Sequence, residues 1–405
     1  MSKIVAMILL IPFIAPAVAR TAQRQSHQHG SAPTGDGTFN PFVAADNHGG
    51  FYLAFIQRTN GASNVMLRRS LDGTVFSDPI RVNDLEGDAT VRNENPPKVA
   101  VSPTGDVYAC WANERAKWKG DIRFARSTDK GKTFSRAITL NSDGGEKPAG
   151  HAFQAIDVGR DGRVYVTWID ERNKGAGDRG AEIWLASSSD RGKTFSRDRR
   201  VLSDVCECCR TNIQIDSAGR LFLSYRTVPS SGPMYRDIIV ARSDDAGKTF
   251  QTTRVSSDGW DVNACPVTGP ALCIDSRDRV TVLWFTGDER GPGLYFTTSI
   301  DSGKSYAPRK RLDQGQKLGK HAQGTALADG RLLVAWDQAA DGVASGPASI
   351  AGYLDVNRGT FINTITEADV AYPTLATNGA VAVMAGMTLA AKEIRLINSP
   401  LTRVR

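Results

Sequence analysis

Cys206-Glu207-Cys208-Cys209-Arg210 sets three thiols within four residues, and Cys265-Pro266 adds a fourth further along the chain. Three chemistries suit such a group. In an oxidising compartment the thiols pair as disulfides, for instance from the 206–209 cluster to Cys265. As thiolates they form a soft-metal site for copper(I) or zinc. Left unpaired, one of them is a reactive nucleophile. A second set of residues suits anions. Arg92, Arg115, Arg172, Arg210, Arg226 and Arg236 carry planar guanidinium forks that grip a carboxylate bidentately, which a lysine in the same place does not. Cys110, beside Trp111, and Cys273, in an apolar run, read instead as packed core thiols.

The elements that position these residues are legible in a repeat. Ser127/Asp129/Gly131/Thr133/Phe134 recurs as Ser188/Asp190/Gly192/Thr194/Phe195, Ser243/Asp245/Gly247/Thr249/Phe250 and Ser299/Asp301/Gly303/Ser305/Tyr306, with a copy one residue shorter at Ser70/Asp72/Phe76. In each copy the carboxylate and hydroxyl can bind the backbone of a tight turn, and the glycine accepts a positive φ. Asp72, Asp129, Asp190, Asp245 and Asp301 are therefore read as hairpin staples without chemistry. They stand 57, 61, 55 and 56 residues apart, the period of a repeated supersecondary unit.

Each unit also holds an apolar run ending in a large side chain: Phe51–Ile56, Val107–Trp111, Val164–Trp168, Leu221–Tyr225, Val280–Trp284, Leu332–Trp336 and Ala380–Met384. Four antiparallel strands per unit give an all-β propeller, with seven runs predicting seven blades; a first blade completed by both termini, or six blades plus an extra strand pair, are the alternatives. The sixth unit keeps only a degenerate box at Asp355–Phe361, and little chain follows Glu393–Ile397 for a last strand. In such a blade the box turn joins strands three and four, so the strand two to three loops and the segments between blades share the opposite face. The six arginines fall on that face. So do Glu94, Asn95, Glu114, His151, Asp170, Glu171, Tyr235, Asp237, Asp288, Glu289, Arg290, His321, Asp337 and Tyr372.

The Ser-x-Asp-x-Gly-x-Thr-Phe copies, spanning about residues 65–306, resemble the Asp-box, or BNR, repeats of sialidase-like β-propellers. The resemblance implies arginines that hold a sugar carboxylate, here Arg172, Arg210, Arg226, Arg236, Arg92 and Arg115. It also implies a tyrosine nucleophile and an acid. Tyr372-Pro373-Thr374-Leu375 precedes an innermost strand as the family nucleophile does, with Glu171 and Asp170 as the carboxylates. The implied activity is glycoside hydrolysis of the exo-sialidase kind, or binding of a glycan or another anionic small ligand. A non-catalytic binding or metal-handling propeller organised by Cys206, Cys208, Cys209 and Cys265 is the other reading. Where the family opens its first blade on an arginine, this chain has Phe39-Asn40-Pro41-Phe42.

Composition bounds the rest. A chain of 405 residues with 39 Gly and 18 Pro suits one large turn-rich ring over residues 39–405. Residues 1–19 carry Lys3, an apolar stretch from Ile4 to Ile14 and Ala17-Val18-Ala19, the pattern of a signal peptide. Residues 20–38 read as a polar, flexible leader. The protein is expected to be secreted or periplasmic, monomeric, without a membrane span in the mature chain and without an organic cofactor. The net charge of +7 is mild for this length, and no basic run interleaved with aromatics points to nucleic acid.

Overall fold

The computed structural model describes residues 35–401 apart from 47, 144–148, 176, 314–316 and 340–345. The predicted signal peptide and most of the leader lie outside the described residues. The first strand begins at Gly37, two residues before the predicted boundary.

Seven antiparallel sheets follow one another, and among the described residues there is no helix. Six sheets have four strands in simple sequence order, and the last has three, Ala371–Thr377, Val381–Thr388 and Glu393–Pro400. The seven apolar runs are the second strands of the seven blades, for example Val107–Ala112, Val164–Asp170 and Leu332–Ala339. They are buried on both faces, which is why they read as continuous hydrophobic segments rather than alternating ones. Their terminal aromatics pack between blades: Trp111, Trp168 and Trp284 are buried, and each indole N–H finds an oxygen, as in Trp168 Nε1 to Asp170 Oδ2 at 2.8 Å.

The box turns form as staples. In blade three, Asp190 accepts from the amides of Lys193 and Thr194 and from the Thr194 hydroxyl at 2.6 Å. Ser188 Oγ donates to Asp190 and accepts from the Gly192 amide at 2.9 Å. These hydrogen bonds hold the box carboxylates below the ordinary carboxylate range. Gly192 sits at φ 73° with Phe124 and Tyr108 of the preceding blade where a Cβ would go, so the turn needs glycine for its backbone and for its fit.

Innermost strands lie against one another around the axis: Gly37–Ala45, Lys98–Val101, His151–Val158, Asn212–Ile215, Ala271–Ile274, Lys320–Ala326 and Ala371–Thr377. Among the described residues no strand is exchanged between the ends of the ring. The first blade meets the last through Thr38 N to Lys392 O at 2.8 Å, Ile394 N to Thr38 Oγ1 at 3.1 Å and Asn378 Nδ2 to Gly49 O at 3.0 Å.

Candidate functional site

Four innermost strands carry the same irregularity where they reach the loop face. Asn40, Phe153, His321 and Tyr372 all have φ between 52° and 55°, and the strand register slips beside each one. A left-handed non-glycine residue is costly and persists only where its surroundings enforce it. Arg210, just ahead of blade four's first strand, occupies the corresponding place. Asn40, Arg210, His321 and Tyr372 line one cleft with Glu94 and Gln323.

Charge in this first cleft is internally balanced. Arg210 Nη1 bonds Glu94 Oε1 at 2.8 Å with both side chains buried, and its Nη2 reaches the carbonyls of Gly269 and Ala322. Glu94 also accepts the Gly269 amide at 3.0 Å. Asp337 accepts from His321 Nδ1 at 2.8 Å and from the Tyr372 amide at 2.7 Å, while His321 Nε2 lies 3.1 Å from the Val267 carbonyl. Both imidazole nitrogens therefore face acceptors, the environment of a charged histidine. Burial opposes that charge, but Asp337 and Glu94 outweigh it and raise the His321 pKa. The Tyr372 ring lies 4.5 Å from that of His321. Burial, with Glu94 and Asp337 adding to it, pushes the phenol well above its usual range, so it stays protonated. Lys98 stands behind, 4.2 Å from the Phe42 ring, and burial with Arg210 nearby brings its amine down to about 7.

A second cleft adjoins the first through the segment 92–96. It is lined by Arg92, Asn93, Trp118, Phe153, Glu171, Glu207, Cys208 and Val267. Asn40 Nδ2 donates to the Arg92 carbonyl, and the Phe153 amide donates to Asn95 Oδ1, so the bulged strands fix this segment from both sides. The Arg92 guanidinium lies over Trp118 at 4.7 Å and meets Glu114 only at 3.8 Å. Buried Arg92 Nε, Asn95 Nδ2 and Glu207 Oε2 have no hydrogen-bond partner among the described residues. Glu171 reaches Lys174 at 3.3 Å.

The remaining predicted residues are engaged elsewhere. Asp170 is buried against His151, Trp168 and Arg172, and Arg172 also bonds Asp198 at 2.7 Å and stacks over Trp184 at 3.7 Å. Arg226 donates to the carbonyls of Arg236, Thr268 and Phe285 from a fully buried position. Arg236 donates to Val262 O and Cys206 Sγ. Arg115 pairs with Asp121 at 2.7 Å near the surface. Arg210 thus shares a cleft with Tyr372, Arg92 shares one with Glu171, and the other four arginines hold loops. Asn40, Lys98 and the His321–Asp337 pair carry the chemistry that the predicted residue set omits. His321 and Asp337 were visible as loop-face polar residues; nothing in the sequence marks Lys98, inside a strand, as buried beside a cleft.

The cysteines meet as expected. Cys208 and Cys265 form a disulfide between the segments that lead into blades four and five, with Cα atoms 6.1 Å apart. Cys206 Sγ lies 3.2 Å from Cys209 Sγ and 3.6 Å from Cys208 Sγ. Burial raises the Cys206 thiol, but the Cys209 hydrogen bond and Arg236 outweigh it and leave it at about 7. Cys110 and Cys273 are free and buried.

Solved structures with this architecture include a Hadza microbial sialidase, at 14% identity and TM-score 0.53, covering 84% of this chain and 74% of that one. The NanB sialidase from Streptococcus pneumoniae is 11% identical with TM-score 0.50, covering 89% and 91%. An ulvan lyase, a polysaccharide lyase bound to -[GlcA(1-4)Rha3S]-, is 10% identical with TM-score 0.55, covering 91% and 95%. At these identities the likeness is one of fold. No curated protein sequence matches the chain. The BNR repeat-like domain matches residues 51–383, most of the ring with all five boxes, and the chain belongs to that family.

Proposed function

We propose that this protein is an exported propeller that binds an acidic glycan on its central loop face, with the sugar carboxylate held by Arg92 in the second cleft. The observation that carries this reading is the conjunction there of a half-buried guanidinium with an unpartnered Nε, the unpartnered Glu207 Oε2 and the aromatic rings of Trp118 and Phe153. Unpartnered buried polar atoms are rare and need a partner, and sugars offer both hydroxyls and apolar ring faces to stack. Arg92 meets Glu114 only at 3.8 Å, so an acidic sugar would supply it with a closer, hydrogen-bonded anion. The ulvan lyase bound to a glucuronate-bearing repeat, and the sialidases, act on acidic sugars with the same fold.

Within this reading Glu171 faces the second cleft as a hydrogen-bond acceptor for sugar hydroxyls, and Tyr372 faces the first as a hydrogen-bond donor. A phenol held protonated donates; it does not attack. Asp170, locked by His151 and Arg172, orders the loops. The arginines do not gather around Tyr372, so the geometry favours recognition over covalent hydrolysis of sialosides. Export rests on Lys3, the apolar stretch and Ala17-Val18-Ala19, together with the disulfide.

Titration calorimetry against sialylated, glucuronate-bearing and neutral oligosaccharides tests the reading, with product analysis for free acidic sugar or for unsaturated uronate ends. Acidic members should bind and neutral ones should not. Equal binding of neutral and acidic members would overturn it. Accumulation of free sialic acid would replace recognition by hydrolysis. Intact-mass measurement of the exported protein should give a chain starting at Arg20; a chain retained inside the cell with Met1 would refute export.

A further inference from the structure

Cys206-Glu207-Cys208-Cys209 contains a Cys-x-x-Cys pair once Cys208 is set aside in its bond to Cys265. The two remaining sulfurs, Cys206 and Cys209, are 3.2 Å apart, both buried. Arg236 Nη1 donates to Cys206 Sγ at 3.2 Å and Nε to the Val262 carbonyl. That guanidinium is buried, and among the described ion pairs no carboxylate meets it: the adjacent Asp237 pairs with Arg254, and Glu207 with Lys174. A buried cation without a carboxylate needs a counter-charge. The sulfurs are the groups placed to supply it.

We propose that Cys206 and Cys209 form a binding site for one soft monovalent metal ion of the copper(I) class. The donor set selects the ion. Among the described residues the ligand group here is made of cysteines alone, and with Cys208 in its disulfide the two remaining thiolates fall short of the four ligands that zinc takes, whereas soft sulfur donors suit copper(I) at low coordination number. Charge also balances. Binding displaces whatever protons the two thiols carry and leaves a metal dithiolate of charge −1 beside Arg236 of charge +1. No electron is transferred, and the Cys208–Cys265 bond stays intact to fix the turn. Glu207 and Cys208, which lie between the pair in sequence, line the second cleft.

The purified full chain is titrated under anaerobic conditions with copper(I), delivered as its acetonitrile complex, against a chromogenic copper(I) chelator. One equivalent should bind, and X-ray absorption should show sulfur scatterers alone around it. Cys206→Ser and Cys209→Ser should each abolish uptake, whereas Cys110→Ser and Cys273→Ser should retain it. Arg236→Lys should weaken binding by about 10–100-fold, as expected for loss of a group that supports a ligand. Where a serine variant fails to fold, the wild-type spectrum still decides. No uptake, a nitrogen or oxygen shell, uptake unchanged in Cys206→Ser, or a Cys206–Cys209 disulfide in protein that takes up no copper(I) would each overturn the assignment.

Discussion

His151 shows how a single side chain can be fixed by its partners rather than by its type. Its Nε2 lies 3.2 Å from both Asp143 and Asp170, and its Nδ1 lies 2.6 Å from the Gly120 carbonyl. Burial opposes the charge, yet the two carboxylates win and raise its pKa to about 10. Since this value lies above the unfolded one of about 6.5, the stabilisation is complete below about pH 6.5 and fades as pH rises through about 10. Urea denaturation of wild type and His151→Gln should give a gap in stability that shrinks between pH 7 and pH 10.5. A gap independent of pH would show that the imidazole is neutral in the folded protein. The same competition between burial and partners explains the arginines. Glu94 and Arg210 meet across 116 residues, and Arg226 donates to the carbonyls of Arg236, Thr268 and Phe285. Composition shows that arginines are plentiful; which ones are already satisfied depends on neighbours that only the closed ring supplies.

At the level of elements, the boxes and second strands were legible because each depends on local chemistry. A Ser-Asp-Gly turn closes on itself, and a strand covered on both faces is apolar throughout. Ser188 both donates to Asp190 and accepts from Gly192. Ser188→Ala should therefore lower stability by about 1–2 kcal/mol through the unsatisfied Gly192 amide, without changing glycan binding. Lost binding at unchanged stability would contradict the staple role. The bulges at Asn40, Phe153, His321 and Tyr372 were not legible. Their left-handed backbone falls on four different residue types, none of them glycine, so no pattern announces it. These bulges build the cleft rim, which is why the site was harder to read than the fold. Among the described residues the last blade has three strands, ending on Glu393–Pro400.

Across the whole molecule, seven blades pack into a ring in which first and last blades meet side by side, with no strand shared between them among the described residues. The Cys208–Cys265 bond ties neighbouring blades across 57 residues, a loop whose closure is worth about 4 kcal/mol in the chain-entropy picture. Cys265→Ala should lower the urea midpoint accordingly; an unchanged midpoint would mean that blade packing alone holds these segments. Ring closure also brings the segment 92–96, the bulged strands and the cysteine turn to one face, where the two clefts adjoin. The central claim is that Arg92 there recognises a sugar carboxylate. The most direct measurement is calorimetric titration of a glucuronate-bearing oligosaccharide and its methyl ester against wild type and Arg92→Lys. Wild type should lose about 10–100-fold in affinity on esterification, the worth of a charged hydrogen-bonded pair, and Arg92→Lys should respond far less. Equal losses in both proteins, or none in wild type, would contradict the claim.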